Sequence, residues 1–270
     1  MPFFSGRLLL RVAAQFPDEF LSLSSVRLGK FNLYYEVHGG WPAVVFAHGS
    51  GGTHMSWWQQ VPVFSSNFKC ITFDHRGFGY SRDVADGLGR TAFVEDLKGL
   101  LDHLGIEKAS LVGQSMGGST VLGFAAAYPE RVQALVMCDT TGRYTDADLE
   151  QVRSSTEAGT GFPLAESFRD RYPARWFLYM QVMNLTPRVP GRRPAPTQMP
   201  APDIQPVVVH GIPTLFIVGD EDRYPPVIEA MHRKIPGSQL VKVPCAGHSV
   251  YWEKPEVFNR IVKEFLHQNI

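Results

Sequence analysis

Cysteine is scarce in this chain of 270 residues. Cys70, Cys138 and Cys245 stand far apart, the first two inside apolar runs and the third just after one. That spacing fits free, buried thiols and speaks against a disulfide framework or a cysteine-ligated metal site. An excess of charge of either sign is also missing, because 26 basic residues balance 26 acidic ones. The basic footprint of a nucleic-acid-binding protein is therefore excluded. No apolar run reaches the roughly 20 residues that would span a bilayer. Residues 3–16 carry Arg7 and Arg11 with no acid before Asp18, but they are too short and serine-poor for a transit peptide. They also lack the apolar centre of a signal peptide, so an arm or helix lying on the domain and a cytoplasmic location are expected.

What the chain does contain is an alternation of short apolar runs with helical patterns. Residues 31–37 read as an early, partly exposed strand closed by Gly39-Gly40. Residues 43–47, 70–73, 109–112, 134–137, 214–218 and 240–243 read as buried strands. Phe93, Leu97, Leu100, Leu101 and Leu104 recur at helical spacing, and Val257, Ile261, Val262, Phe265 and Leu266 form the apolar face of a closing helix. This order predicts an α/β fold with a mostly parallel sheet covered on both faces. Reactive groups in such sheets collect beyond the carboxyl ends of the strands.

The alternation is interrupted between residues 142 and 206. Two helix-like stretches, 146–157 and 164–183, lead into a run holding Pro187, Pro190, Pro194, Pro196, Pro200, Pro202 and Pro206, which regular helix or central strand cannot accommodate. The expected organisation is a core of residues 1–141 and 207–270 with residues 142–206 inserted as a cap. Trp176, Phe177, Tyr179, Met180 and Met183 give the second stretch an apolar surface to cover something, and Trp176 and Met180 are candidate pocket residues.

The chemistry begins at Gly113-Gln114-Ser115-Met116-Gly117, between a strand-like run and a small-residue helix that extends to about residue 128. A G-x-S-x-G turn in that setting is a nucleophile elbow: the backbone is strained so that the serine hydroxyl stands above the sheet. Gly113 and Gly117 are expected where a Cβ would strike a neighbouring strand or helix. A serine hydroxyl needs a base within hydrogen-bond reach. His248 follows Cys245-Ala246-Gly247 just beyond the last strand and is the candidate. Gly219-Asp220-Glu221-Asp222 lies at the acid position in the order Ser, Asp, His, which favours Asp222; Asp139, ending an earlier strand, is the alternative acid. Asp220 is expected to tie the turn together and Glu221 to face solvent. Stabilising an oxyanion needs two N–H donors. Those of Met116 and of Ser50, in His48-Gly49-Ser50-Gly51-Gly52, are the candidates. His48 is expected to brace that loop; Trp57 and Trp58 are candidate walls of an acyl pocket, with ordinary core packing equally open for one of the two.

These motifs together resemble the α/β-hydrolase fold superfamily over nearly the whole chain. The likeness rests on His48-Gly49 with Trp57 after it and on Asp74-His75-Arg76-Gly77-Phe78-Gly79-Tyr80-Ser81, similar to the D-x-R-G-x-G-x-S segment. It rests also on Gly113 through Gly118, Gly219-x-x-Asp222 and Gly247-His248. The resemblance implies that Asp74 and Arg76 stabilise the loop around the site, and that Ser115 sets the chain apart from dehalogenases and epoxide hydrolases with an elbow aspartate. It implies a serine carboxylesterase acting on small to medium esters, lactones included, with no metal or organic cofactor and a small-molecule ester as partner. A C–C bond hydrolase of ring-cleavage products is the alternative. That group usually has a proline in the glycine turn and an aromatic after the histidine, where this chain has Gly52 and Ser249. A cofactor-free oxygenase or a ligand receptor on the same fold stays open. The cap is short and unusually rich in proline, a departure that leaves the substrate open.

Overall fold

The computed structural model describes residues 24–84, 87–156, 164–185 and 199–270. The expected N-terminal arm, and residues 186–198 of the proline-rich run, lie outside the described residues.

Eight strands form one sheet: β1 (Ser25–Leu28), β2 (Phe31–His38), β3 (Ala43–Ala47), β4 (Lys69–Phe73), β5 (Ala109–Gln114), β6 (Val132–Cys138), β7 (Thr214–Gly219) and β8 (Gln239–Val243). Their order across the sheet is β1-β2-β4-β3-β5-β6-β7-β8. β1 pairs antiparallel with β2, and β2 with β4; every other pair is parallel. The helices are α1 (Val61–Phe64), α2 (Phe93–His103), α3 (Met116–Ala127), α4 (Ala147–Ser155), α5 (Phe168–Arg171), α6 (Pro173–Asn184), α7 (Gln205–Val209), α8 (Pro225–His232), α9 (Val250–Glu253) and α10 (Pro255–Asn269).

Side chains alternate across a strand, and β3 divides between two cores accordingly. Ala43, Val45 and Ala47 join Leu97, Leu100, Val121, Phe124, Val227 and Ile228 on one face, beneath α2, α3 and α8. Val44 and Phe46 join Phe64, Phe258, Val262 and Phe265 on the other, beneath α1 and α10. With both faces covered, β3, β5 and β7 are buried at every residue, which is why they read as continuous apolar runs.

Three details depart from the expectations. β1 was not anticipated, because Ser25–Leu28 is short and half polar. The second helical stretch is two helices, broken where Pro173 opens α6 and the Tyr172 backbone leaves the helical region. Cys245 is exposed rather than buried, in a turn after β8 at φ 53°. All three cysteines are free thiols.

The described parts of residues 142–206 settle in different places. α4 lies against α8, where Leu149 shares a core with Val227 and Ile228 and Asp146 pairs with Lys234 at 2.8 Å. α5 and α6 lie instead over the carboxyl ends of the strands. Met183 stands where a Cβ on Gly51 would fall, and the backbone of Leu164 and Ala165 abuts Gly247.

Candidate active site

β5 ends at Gln114 and α3 begins at Met116, so the chain reverses within a single residue. Ser115 takes φ 49° and ψ −112°, a conformation that costs a non-glycine residue about 1–3 kcal/mol. Its surroundings hold it there. Ser115 N–H donates to Cys138 O at 3.0 Å, while Gly118 N–H and the Thr140 hydroxyl both donate to Ser115 O. The flanking glycines permit the turn: a Cβ on Gly117 would lie 2.0 Å from Ala47 O, and one on Gly113 would lie 2.7 Å from Gly117 O. Both therefore stand where a side chain would collide, as the elbow pattern requires.

The parallel strands carry the other candidate residues to the same edge. His248, five residues beyond β8, turns back so that its Nε2 lies 2.9 Å from Ser115 Oγ. Its Nδ1 lies 2.9 Å from Asp222 Oδ2. With Nδ1–H donating to that carboxylate, Nε2 is left to accept the serine proton. Asp222 is almost fully buried, and its other oxygen accepts Arg223 N–H at 2.7 Å. Burial lowers the pKa of His248, but the hydrogen bond and charge of Asp222, with the charge of Asp139, outweigh it and hold the imidazole above its usual value.

Asp139, the alternative acid, is engaged elsewhere. Its carboxylate accepts the N–H groups of Gly219 at 3.1 Å and Val250 at 3.2 Å, binding the acid loop to the helix after the histidine. Burial pushes its pKa up to about 7, with His248 opposing. Asp220 and Glu221 expose their side chains, and their N–H groups tie the turn to Val243 O and Ala246 O.

The glycine turn after β3 lies against the serine. Gly49 fits because a Cβ there would meet Gln114 Oε1 at 1.9 Å and Ser115 Cβ at 3.4 Å. Ser50 follows it directly. Met116 N–H belongs to the first turn of α3, whose amides have no helical acceptor. His48 is buried and accepts His75 N–H at its Nε2, so its Nδ1–H donates to Gly49 O at 2.8 Å. Burial drops its pKa to about 4, a neutral brace for the loop rather than a second base. Asp74 accepts the N–H groups of His54 and Tyr80, and Arg76 meets Asp96 through two nitrogens at 2.9 and 2.6 Å.

The aromatic candidates separate. Trp57 has no accessible surface and packs against Phe46, Tyr251 and Phe258, so it is core and does not wall a pocket open to substrate. Trp58 is exposed and stands edge-on to Trp252. Trp176 and Met180 are partly buried on α6, against the core that holds Trp252.

Two positioning contacts were not anticipated. Gln114 Nε2 donates to His248 O at 2.7 Å, so the residue before the serine holds the histidine loop. Glu253, buried in α9, accepts Gly247 N–H at 2.9 Å and Ala165 N–H at 2.8 Å, fastening the histidine loop to the start of the α5 segment. Burial pushes its pKa up to about 7. An acid directly after the apolar run Val250-Tyr251-Trp252 was the available signal for Glu253.

A serine on a strained strand-to-helix turn, met by a histidine and an aspartate from later strand ends, defines a class of hydrolase folds with a nucleophilic centre. The family model for the alpha/beta hydrolase fold matches residues 42–202, and the chain belongs to that family. The chain is 29% identical to a 2-hydroxy-6-oxo-6-phenylhexa-2,4-dienoate hydrolase of Comamonas testosteroni, over 93% of this chain and 96% of that one. Among solved structures it is similar to a thermophilic esterase from Thermogutta terrifontis, with TM-score 0.71 and 28% identity over 91% and 97% of the two chains. A bromoperoxidase from Bacillus anthracis shares the fold, with TM-score 0.74 and 24% identity over 91% and 100%. The relatives thus agree on the hydrolase family and differ in reaction.

Proposed function

We propose that the protein is a serine hydrolase that cleaves carboxylic esters of small to medium size, lactones included, through an acyl-enzyme. The observation that carries this reading is the continuous chain Ser115 Oγ, His248 Nε2, His248 Nδ1, Asp222 Oδ2, with 2.9 Å at each contact. Ser115 Oγ attacks the acyl carbon as His248 Nε2 takes its proton. The amides of Met116 and Ser50 receive the oxyanion. The tetrahedral intermediate collapses, His248 returns the proton to the leaving alcohol, and the acyl group stays on Ser115. Water then attacks the acyl-enzyme with His248 again as base, releasing the acid and restoring the hydroxyl. Asp222 fixes the imidazole tautomer and faces the positive charge that forms on it. Residues 164–185 act as the lid of the inserted cap, since Met183 and Ala165 meet the glycine turn and the histidine loop. The likeness to the Thermogutta terrifontis esterase supports the ester reading.

A second reading, a C–C bond hydrolase of ring-cleavage products, is favoured by the likeness to the Comamonas testosteroni dienoate hydrolase. The two share the nucleophilic centre and differ in substrate. Purified protein is to be assayed with p-nitrophenyl acetate and butyrate beside a vinylogous diketo acid. The ester reading predicts burst and turnover on the p-nitrophenyl esters. Rapid, exclusive cleavage of the diketo acid selects the second reading, and turnover of none of them removes both. Oxygen consumption on an activated aromatic substrate tests the oxygenase on the same samples.

A further inference from the structure

Three hydrogen bonds tie residues 164–185 to the stretch directly after His248. Ala165 N–H donates to Glu253 Oε2 at 2.8 Å, and Trp252 Nε1–H donates to Arg175 O at 3.2 Å. On α6, the Tyr179 hydroxyl lies 3.4 Å from the Ser249 hydroxyl. The Tyr179 ring also stands edge-on to Trp252, with centroids 5.1 Å apart. Tyr179 and Ser249 are both buried, and buried hydroxyls take their partners from the protein. Burial pushes the Tyr179 pKa up to about 12, against the hydrogen bond of Ser249, so the phenol keeps its proton.

These contacts bracket the base. Gly247, before His248, gives its N–H to Glu253 Oε1, on the same carboxylate that holds Ala165. Ser249, after it, meets Tyr179. Both chain neighbours of His248 are thus held by groups that also hold residues 164–185. Gln114 adds a third point from the serine side, at His248 O. His248 Nε2 lies 2.9 Å from Ser115 Oγ, and proton transfer works only within about 2.6–3.2 Å between heavy atoms. A small shift of the histidine loop is enough to leave that range.

We propose that Tyr179 is a positioning residue for His248, acting through Ser249, so that the seating of residues 164–185 over the strand ends helps hold the base at Ser115. For its effect on turnover this rests on the ester-hydrolase reading above; for its effect on Ser115 itself it does not. The kinetic arm assays Tyr179→Phe, Ser249→Ala and the double variant on p-nitrophenyl butyrate, with a melting curve for each. Tyr179→Phe keeps the ring against Trp252 and loses only the hydroxyl. Its kcat should fall about fivefold, the worth of one hydrogen bond, with KM within about twofold of wild type. Ser249→Ala should do the same, and the double variant should be no slower than either single one. A lower melting temperature with wild-type kcat would make the contact structural only and overturn the proposal. Losses that multiply in the double variant, or that fall on KM alone, overturn it too. The labelling arm follows the rate at which a fluorophosphonate modifies Ser115, which needs His248 but no ester substrate. Tyr179→Phe should label about fivefold more slowly than wild type, and equal rates overturn the proposal. If p-nitrophenyl butyrate is not cleaved while Tyr179→Phe slows labelling, the positioning role stands and the ester reading falls.

Discussion

Replacing Asp222 with asparagine isolates the charge that faces His248. In the proposed mechanism the imidazole is positively charged in the transition state, and its Nδ1 lies 2.9 Å from Asp222 Oδ2. Opposite unit charges at that separation, in an effective dielectric of about 20, interact by about 6 kcal/mol. Asparagine removes that interaction, and its amide can donate to Nδ1, which turns the imidazole to the tautomer that cannot accept the serine proton. At 1.36 kcal/mol per decade the loss is about four decades in kcat. This agrees with the loss on the order of 10⁴ that the equivalent change brings in a serine protease. Asp139→Asn is the internal control. Asp139 holds the backbone of Gly219 and Val250 and makes no hydrogen bond to the imidazole, so its substitution should cost less than about tenfold in kcat. Both variants are to be assayed on p-nitrophenyl butyrate, with melting curves to establish that each is folded. If Asp139→Asn is the more damaging of two folded variants, the acid assignment is wrong.

Further expectations concern pH and packing. Because Asp222 holds the His248 pKa above 6.5, kcat/KM should fall as pH drops through a midpoint above that value. In Asp222→Asn the midpoint should move to lower pH; a midpoint that stays put removes Asp222 from the titration. Gly117→Ala would place a Cβ 2.0 Å from Ala47 O, backbone that cannot step aside. The expected destabilisation of about 3 kcal/mol should lower the melting temperature by roughly 5–10 °C, and an unchanged melt contradicts the close approach. Glu253→Ala orphans the N–H groups of Gly247 and Ala165. The variant should lose about 2–4 kcal/mol of stability and some kcat, with Glu253→Gln milder; wild-type melting and turnover in Glu253→Ala would dismiss the clamp.

The parts of this molecule that were legible in sequence are those set by local chemistry. β3, β5 and β7 announce themselves because both faces are buried, and the elbow does so because Gly113 and Gly117 stand where no Cβ fits. His248 and Asp222 follow from their places after β8 and β7, where a parallel sheet gathers its loops. What escaped depends on distant contact. Gln114 reaches His248 across 134 residues, and Ala165 reaches Glu253 across 88, so no local pattern marks either pair. Trp57 and Trp58 look alike in sequence, and only the packing of Tyr251 and Phe258 sends the first into the core. Pro173 did carry a signal, since a proline in a helical run ends or restarts it, and the break before α6 lies there.

The central claim is that Ser115 is the nucleophile, and active-site labelling reaches it most directly. Wild-type protein treated with a fluorophosphonate and digested should carry the phosphonyl mass on the peptide containing Ser115, in step with loss of ester turnover. Ser115→Ala should neither label nor turn over. Labelling on another residue, or full ester turnover by Ser115→Ala, would contradict the account.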